Sequence, residues 1–315
     1  MQQSTQRKLA VFAMTTLAAL LLLVLSALAG DEEGARRTLT FWDIWALPRV
    51  WVGALLALAG LLLLMSKKLT AGIRFLSLLI IFFAFAVISN LPLGHFARGM
   101  GLHPSPMCAV EKPFLFLQMD RAVPIVFIAI LSFIALISIV GNKLFCGWNC
   151  PIGAVQELLH RIPLPRRLKI KLPFKIANAV RIVFFMLFLA VLFLTGASLY
   201  EYVNPFEFLH WDLEAAVIPA FVITFIGAVF IFRPFCYLVC PLGLITWLLE
   251  PLALTRIRLD RKKCTMCLRC VHQSPCPSVQ AVLDGRRIRP DCHACGICLH
   301  TCPENALKFD HSADA

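Results

Sequence analysis

Long apolar stretches separated by short polar ones set the reading of this chain. Six runs, at roughly 9–29, 46–66, 73–91, 122–141, 178–198 and 215–234, are nearly free of charge, and charged or Pro/Gly-containing segments separate them. Each is about 20 residues long, the length at which a helix crosses a hydrocarbon core of ~30 Å. The pattern predicts a polytopic α-helical membrane protein. Between the runs the charge alternates. Arg7 and Lys8, then Lys67, Lys68 and Arg74, then Arg161 to Lys175, then Arg256 to Lys263 fall on one side. The other side carries Asp31, Glu32, Glu33, Glu111, Asp120, Glu201, Glu207, Asp212 and Glu214. An excess of Lys and Arg marks the cytoplasmic face. Both termini are therefore expected in the cytoplasm, with the protein in the bacterial inner membrane.

The first run starts basic and ends in Ala27-Leu28-Ala29, as a signal peptide would. Its apolar core is longer than the usual ~7–15 residues, so a retained anchor is expected. Three zones follow from the pattern: an N-terminal transmembrane region over 1–120 with an outward loop at 92–121, a transmembrane core over 121–256, and a polar, cysteine-rich domain over 257–315. Arg181, near the inner end of the fifth run, reads as an interfacial anchor.

Composition changes the picture in two places. With 59% hydrophobic and 15% charged residues the chain lies outside the soluble range. The net charge of +12 is then a matter of topology, and no nucleic-acid partner is implied. The 13 cysteines are too many for packing alone, and all but Cys108 follow residue 145. Cys108 stands among His95, Met100, His103 and Met107 in the outward loop, where the residues read as ordinary loop anchors.

The tail carries KCTMCLRCVHQSPCP and then DCHACGICLHTCP. The second is the bacterial ferredoxin run, Cys-x2-Cys-x2-Cys-x3-Cys-Pro, in which the fourth cysteine serves the other cluster. On that logic Cys264, Cys267, Cys270 and Cys302 hold one [4Fe-4S] cluster, and Cys292, Cys295, Cys298 and Cys276 hold a second. Zinc is the competing use of four thiolates. The first run departs from the pattern, with five residues between Cys270 and Cys276 instead of three; a longer loop can still deliver Cys276. The expected fold of this part is an α+β bacterial-type di-cluster ferredoxin domain.

Two further motifs, FCGWNCPIG from Phe145 and FCYLVCPLG from Phe235, repeat Cys-x3-Cys-Pro with an offset of 236 − 146 = 90 residues. Each follows an outside-to-inside run, each has a proline at the first position of a new helix (Pro151, Pro241), and each continues into an apolar-faced helix. This predicts an internal repeat that gathers Cys146, Cys150, Cys236 and Cys240 at the cytoplasmic edge. The four could bind an additional iron–sulfur or other metal centre, act as dithiol pairs, or be packed small residues.

The succession GNKLFCGWNCPIGAVQELL, RIVFFMLFLAVLFLTGASLYEYVNPFEF, FCYLVCPLG and the double ferredoxin run resembles the polyferredoxin-like membrane subunits of the periplasmic nitrate reductase system. It is also similar to their relatives in nitrous oxide reduction and cytochrome oxidase assembly. The likeness covers about 120–308; the N-terminal region and the altered first ferredoxin run depart from it. The resemblance implies an electron-transfer component of a quinol-linked oxidoreductase system, with quinol as substrate, the membrane quinone pool as one partner and other redox subunits as further partners. The alternative is an assembly or maturation factor that reduces a metal or thiol for another enzyme. Nucleotide-binding, zinc-protease and hydrolase motifs are absent from the sequence.

Overall fold

The computed structural model describes residues 40–101, 105–210, 218–286 and 291–311; the first apolar run lies outside the described residues. Helix α1 (Pro48–Met65) starts on a proline, which costs nothing at a first helical position because that N–H has no intrahelical partner. The Thr70 hydroxyl caps α2 (Ala71–Phe82) by accepting from the Ile73 N–H, and a wide π-turn carries the helix on to Asn90. Helix α3 (Cys108–Gln118) lies in the loop that follows. Then come α4 (Ile125–Gly141), α5 (Leu144–Trp148), α6 (Pro151–His160) and α7 (Phe174–Thr195).

Pro48–Met65, Ala71–Asn90 and Phe174–Thr195 are long and apolar enough to cross a membrane. Large apolar side chains point outward from them, among them Leu58, Leu62, Val183, Met186 and Leu194. A surface of that kind suits lipid and not water. The protein is a multi-pass membrane protein. Of the other two runs, the fourth is shorter than expected. Pro124 precedes α4 and confines it to 17 residues, and the described part of the sixth run is α8, a helical stretch over 218–230 with a π-turn in its middle.

At the end of α4 the chain reverses on two consecutive left-handed residues, Asn142 (φ 52°) and Lys143 (φ 61°). It then runs back into the bundle through α5 and α6. Arg233 (φ 50°) makes the corresponding reversal before α9 (Pro234–Leu238) and α10 (Pro241–Leu249). These turns correct the expected depth of the motifs. A methyl on Gly60 of α1 would strike Trp148 at 2.3 Å, and one on Gly53 would lie 3.1 Å from the Asn149 amide. Gly53 is twelve residues, ~18 Å at 1.5 Å per residue, from the end of α1. The motifs thus re-enter among the helices and do not stop at the end of α1.

In the tail, β1 (Thr255–Leu259) pairs antiparallel with β2 (Leu307–His311), Thr255 opposite His311 and Leu259 opposite Leu307. Ile257 and Phe309 face each other and are buried. Between the strands lie α11 (Arg269–Gln273), α12 (Ser278–Leu283) and α13 (Ile297–Thr301). One apolar core joins Ile134, Leu144 and Trp148 of the bundle to Ile257, Leu299 and Phe309 of the tail. The tail is packed onto the membrane part.

Candidate iron–sulfur centres

Both ferredoxin loops follow one backbone plan. Residues two and four after the first cysteine are left-handed: Met266 (φ 54°) and Leu268 (φ 54°) after Cys264, Ala294 (φ 47°) and Gly296 (φ 73°) after Cys292. A left-handed non-glycine residue costs about 1–2 kcal/mol. Alternation of right- and left-handed residues turns successive N–H groups inward into an anion-binding concavity of the kind used by iron–sulfur sites. Gly296 also has no room for a side chain, since a Cβ there would meet Leu69 at 2.2 Å.

Cys264, Cys267, Cys270 and Cys302 line one cavity, with Leu259, Leu283, Ala306 and Leu307 among its other walls. The other four cysteines are buried. Burial, and after it the neighbouring thiols of Cys295, Cys292 and Cys276, hold the Cys298 thiol well above its ordinary pKa. Burial pushes Cys276 up to about 12. Such thiols ionise only when a metal displaces the proton. The two extra residues are taken up by α11 and by a turn in which the Ser274 hydroxyl accepts from the Cys276 N–H at 3.2 Å, and Cys276 lies near Cys295 and Cys298.

Among the described residues no three His, Cys, Asp or Glu side chains are close enough to share one metal ion. Zinc draws its sulfurs to about 2.3 Å from a single point. An iron–sulfur cube gives each thiolate its own iron and holds the thiolates farther apart. The four thiols of Cys264, Cys267, Cys270 and Cys302, which line one cavity, are an all-sulfur donor set of the kind an iron–sulfur cube takes.

The paired motifs are joined crosswise. Gln156 Nε2 on α6 donates to Cys236 Sγ at 3.3 Å, and Thr246 on α10, ninety residues later, stands 3.9 Å from Cys146 Sγ. Arg233 Nη1 donates to the Cys146 carbonyl at 2.7 Å, and Lys143 Nζ, its counterpart, donates to the Gly243 carbonyl at 3.0 Å. Gly153 and Gly243 occupy matching places: a Cβ on either would stand 2.9 Å or 2.8 Å from the carbonyl of Cys146 or Cys236 respectively. The structure thereby brings Cys146 and Cys236 to one place, with Cys150 and Cys240 at the starts of the two proline-led helices beside them.

Two buried carboxylates, neither singled out from the sequence, hold this arrangement. Glu157 receives Arg74 at 2.8 Å and Arg233 at 2.6 Å. Asp291 receives Lys143, and Arg181 at 3.0 Å. Arg181 is fully buried and also donates to the Cys236 carbonyl at 3.1 Å, so it is a structural cation of the motif and not the interfacial anchor expected. Buried charges need such partners. Arg74, Arg181 and Arg233 inside apolar runs were the available signal, since intramembrane charge is costly and points to a polar interior.

Asp291 opens the second ferredoxin loop, and the residues after it are clamped as well. Asn142 Nδ2 donates to the Cys292 carbonyl at 3.3 Å, Trp148 Nε1 to the Ala294 carbonyl at 2.9 Å, and the Tyr237 hydroxyl to the Asp291 carbonyl at 3.3 Å. The grip comes from both motifs. In the 92–121 region, Cys108 is buried against Ser105 at 3.2 Å, Met100 and Met107 are buried, and His95 lies beside Arg98; His103 lies outside the described residues.

A family model described as a 4Fe-4S binding domain matches residues 123–173 and 215–259. Each stretch contains one Cys-x3-Cys-Pro motif, and neither extends beyond the first strand of the tail. The ferredoxin-type protein NapH of Haemophilus influenzae is 31% identical over 204 residues, covering 56% of this chain and 67% of its own length. The putative electron transport protein YccM of Escherichia coli is 26% identical over 189 residues, 53% of this chain and 50% of its own. The regulatory protein NosR of Stutzerimonas stutzeri is 29% identical over 303 residues, 87% of this chain and 39% of its own length. That coverage takes in part of the N-terminal region. The chain spans two thirds or less of these relatives. No solved structure matches it.

Proposed function

This chain belongs to the ferredoxin-type membrane iron–sulfur proteins, and from that premise we propose that it passes electrons between the membrane quinone pool and a redox partner. Cys264, Cys267, Cys270 and Cys302 hold one [4Fe-4S] cluster, and Cys292, Cys295, Cys298 and Cys276 hold the other. Cys146, Cys150, Cys236 and Cys240 hold a further iron–sulfur centre, in an internal repeat related by a pseudo-two-fold axis. Each cluster supplies reversible one-electron chemistry when bound. The chain's own residues position and insulate: the left-handed loops aim N–H groups at sulfur, Gln156 and Thr246 hydrogen-bond to Cys236 and Cys146, and Arg233 and Arg181 hold the cysteine carbonyls.

One observation carries the reading, namely the clamp on residues 291–294. Asn142, Lys143 and Trp148 of the first motif, with Arg181 and Tyr237 beside the second, grip the loop that supplies Cys292 and Cys295. A tail that were merely a tethered ferredoxin would not need buried ion pairs to the membrane motifs. The grip sets the second tail cluster against the motif site, so electrons pass from the bundle to the tail without diffusion. The orientation follows the charge bias, with the tail in the cytoplasm. Quinol-driven reduction of the tail clusters, measured in membranes and compared with reduction by dithionite, tests the proposal. Wild-type quinol rates in a protein lacking all four motif cysteines would sink it.

A further inference from the structure

The two nine-residue motifs differ at four positions, and at one of them a buried polar residue replaces an apolar one. Where the second has Val239, the first has Asn149. Asn149 is 2% exposed, and neither its Nδ2 nor its Oδ1 has a hydrogen-bond partner among the described residues. An amide buried without partners costs free energy that a valine would not, so its place beside Cys150 calls for something to bind it.

The side chain lines a cavity walled by the rings of Phe85, Phe133 and Phe145 and by Ile130 and Gly53. The space open to the centre of a water is about 50 Å³, several times the ~10–15 Å³ that one water needs. Measured out to the wall atoms, such a space takes one six-membered ring. Arg49 also lines the space, with its Nη1 donating to the Gly101 carbonyl at 3.0 Å, and the rest of the wall is apolar. Gly53 keeps the space open, since a methyl there would stand 3.1 Å from the amide and 3.5 Å from Phe133. Mostly apolar walls with a few convergent polar groups are the usual form of a small-ligand site.

We infer that this cavity binds the head ring of the quinone or quinol, with Asn149 as its hydrogen-bonding contact. The inference rests on the quinone reading above and adds the site. Nδ2 donates to a quinone carbonyl; Oδ1 accepts from a quinol hydroxyl; the three phenylalanines pack on the ring. Asn149 has no proton to exchange at neutral pH, so it is a binding contact and not the base. A ring held there lies one residue from Cys150. The larger cavity, about 680 Å³ between α6 and the tail, is lined by Glu157, Arg161, Lys169, Lys171 and three histidines as well as apolar residues, and has no ring of aromatic side chains around one amide.

The test is equilibrium binding of a short-chain quinone to the purified full-length protein in detergent, with an azido-quinone to map the contact. Asn149→Val should weaken binding by about tenfold or more, the worth of one good hydrogen bond, while melting temperature stays or rises because an unpaired amide is gone. Gly53→Leu should abolish binding by filling the space. Iron content and reduction by dithionite should be unchanged in both. Label attached to α1, α4 or the 145–151 segment supports the site. Wild-type affinity in both variants, or label confined to other segments, overturns the site and leaves the quinone reading standing. No binding by the wild-type protein overturns both.

Discussion

The Nε2 of Gln156 lies 3.3 Å from the Sγ of Cys236, so the helix that follows the first motif reaches the leading cysteine of the second. Thr246 returns the contact to Cys146. On the proposal that the four motif cysteines hold one centre, loss of any one should be felt by all. Each single Cys→Ser variant should lose about one cluster's iron and sulfide, keep the tail clusters reducible by dithionite, and lose quinol-driven reduction. Gln156→Leu is the milder case: all the iron stays, and the midpoint potential of that one centre falls, because a hydrogen bond to sulfur is removed. Unchanged iron in all four serine variants would make the motifs structural turns.

The tail ligands divide in the same testable way. Cys276→Ser should remove the cluster shared with Cys292, Cys295 and Cys298 and leave the one in the Cys264 cavity. Cys302→Ser should do the reverse, although it lies in the second run. Anaerobic iron and sulfide determination with EPR of the reduced protein separates the cases. Zinc in place of iron in the purified protein would contradict the assignment.

Topology offers an independent check. The basic segments at 161–175 and 256–263 predict a cytoplasmic tail. A reporter fused after His311 that works only in the cytoplasm should be active, and one placed in 92–121 should not. The opposite result would put the clusters on the other face and reverse the electron path.

Much of this was legible in the sequence, and for physical reasons. Apolar runs of bilayer length, cysteines at ferredoxin spacing and the 90-residue offset are local signals that need no tertiary information. What escaped was set by contacts between distant segments. Glu157 reads as one polar residue on an amphipathic helix until Arg74 and Arg233 arrive from other runs. The inward course of the motifs depends on left-handed backbone at Asn142, Lys143 and Arg233; asparagine there is a weak cue, and lysine and arginine are none. Asn149 differs from Val239 in the sequence itself, but only burial without a partner makes the difference mean anything.

Asp291 gives the sharpest prediction about how the tail is held. Its carboxylate lies between Lys143 and Arg181, all three buried. Asp291→Asn keeps the shape but leaves two cations without a counter-charge, and breaking a buried pair by removing one partner costs about 3–5 kcal/mol. The tail's remaining hold includes the Thr255 hydroxyl on the Val140 carbonyl, the β-strand packing and the hydrogen bonds from Asn142, Trp148 and Tyr237. That hold should keep the domain folded while it loosens from the motifs. Gly147→Ala attacks the same contact by shape alone, since its Cβ would meet the His293 carbonyl at 2.1 Å and backbone has to move. The two variants share no chemistry, so a common outcome points to docking itself. Both should show faster protease cleavage near 252–263, full iron content, normal reduction by dithionite and slow quinol-driven reduction of the tail clusters. If either variant releases the tail and quinol still reduces its clusters at the wild-type rate, electrons do not enter through the clamp.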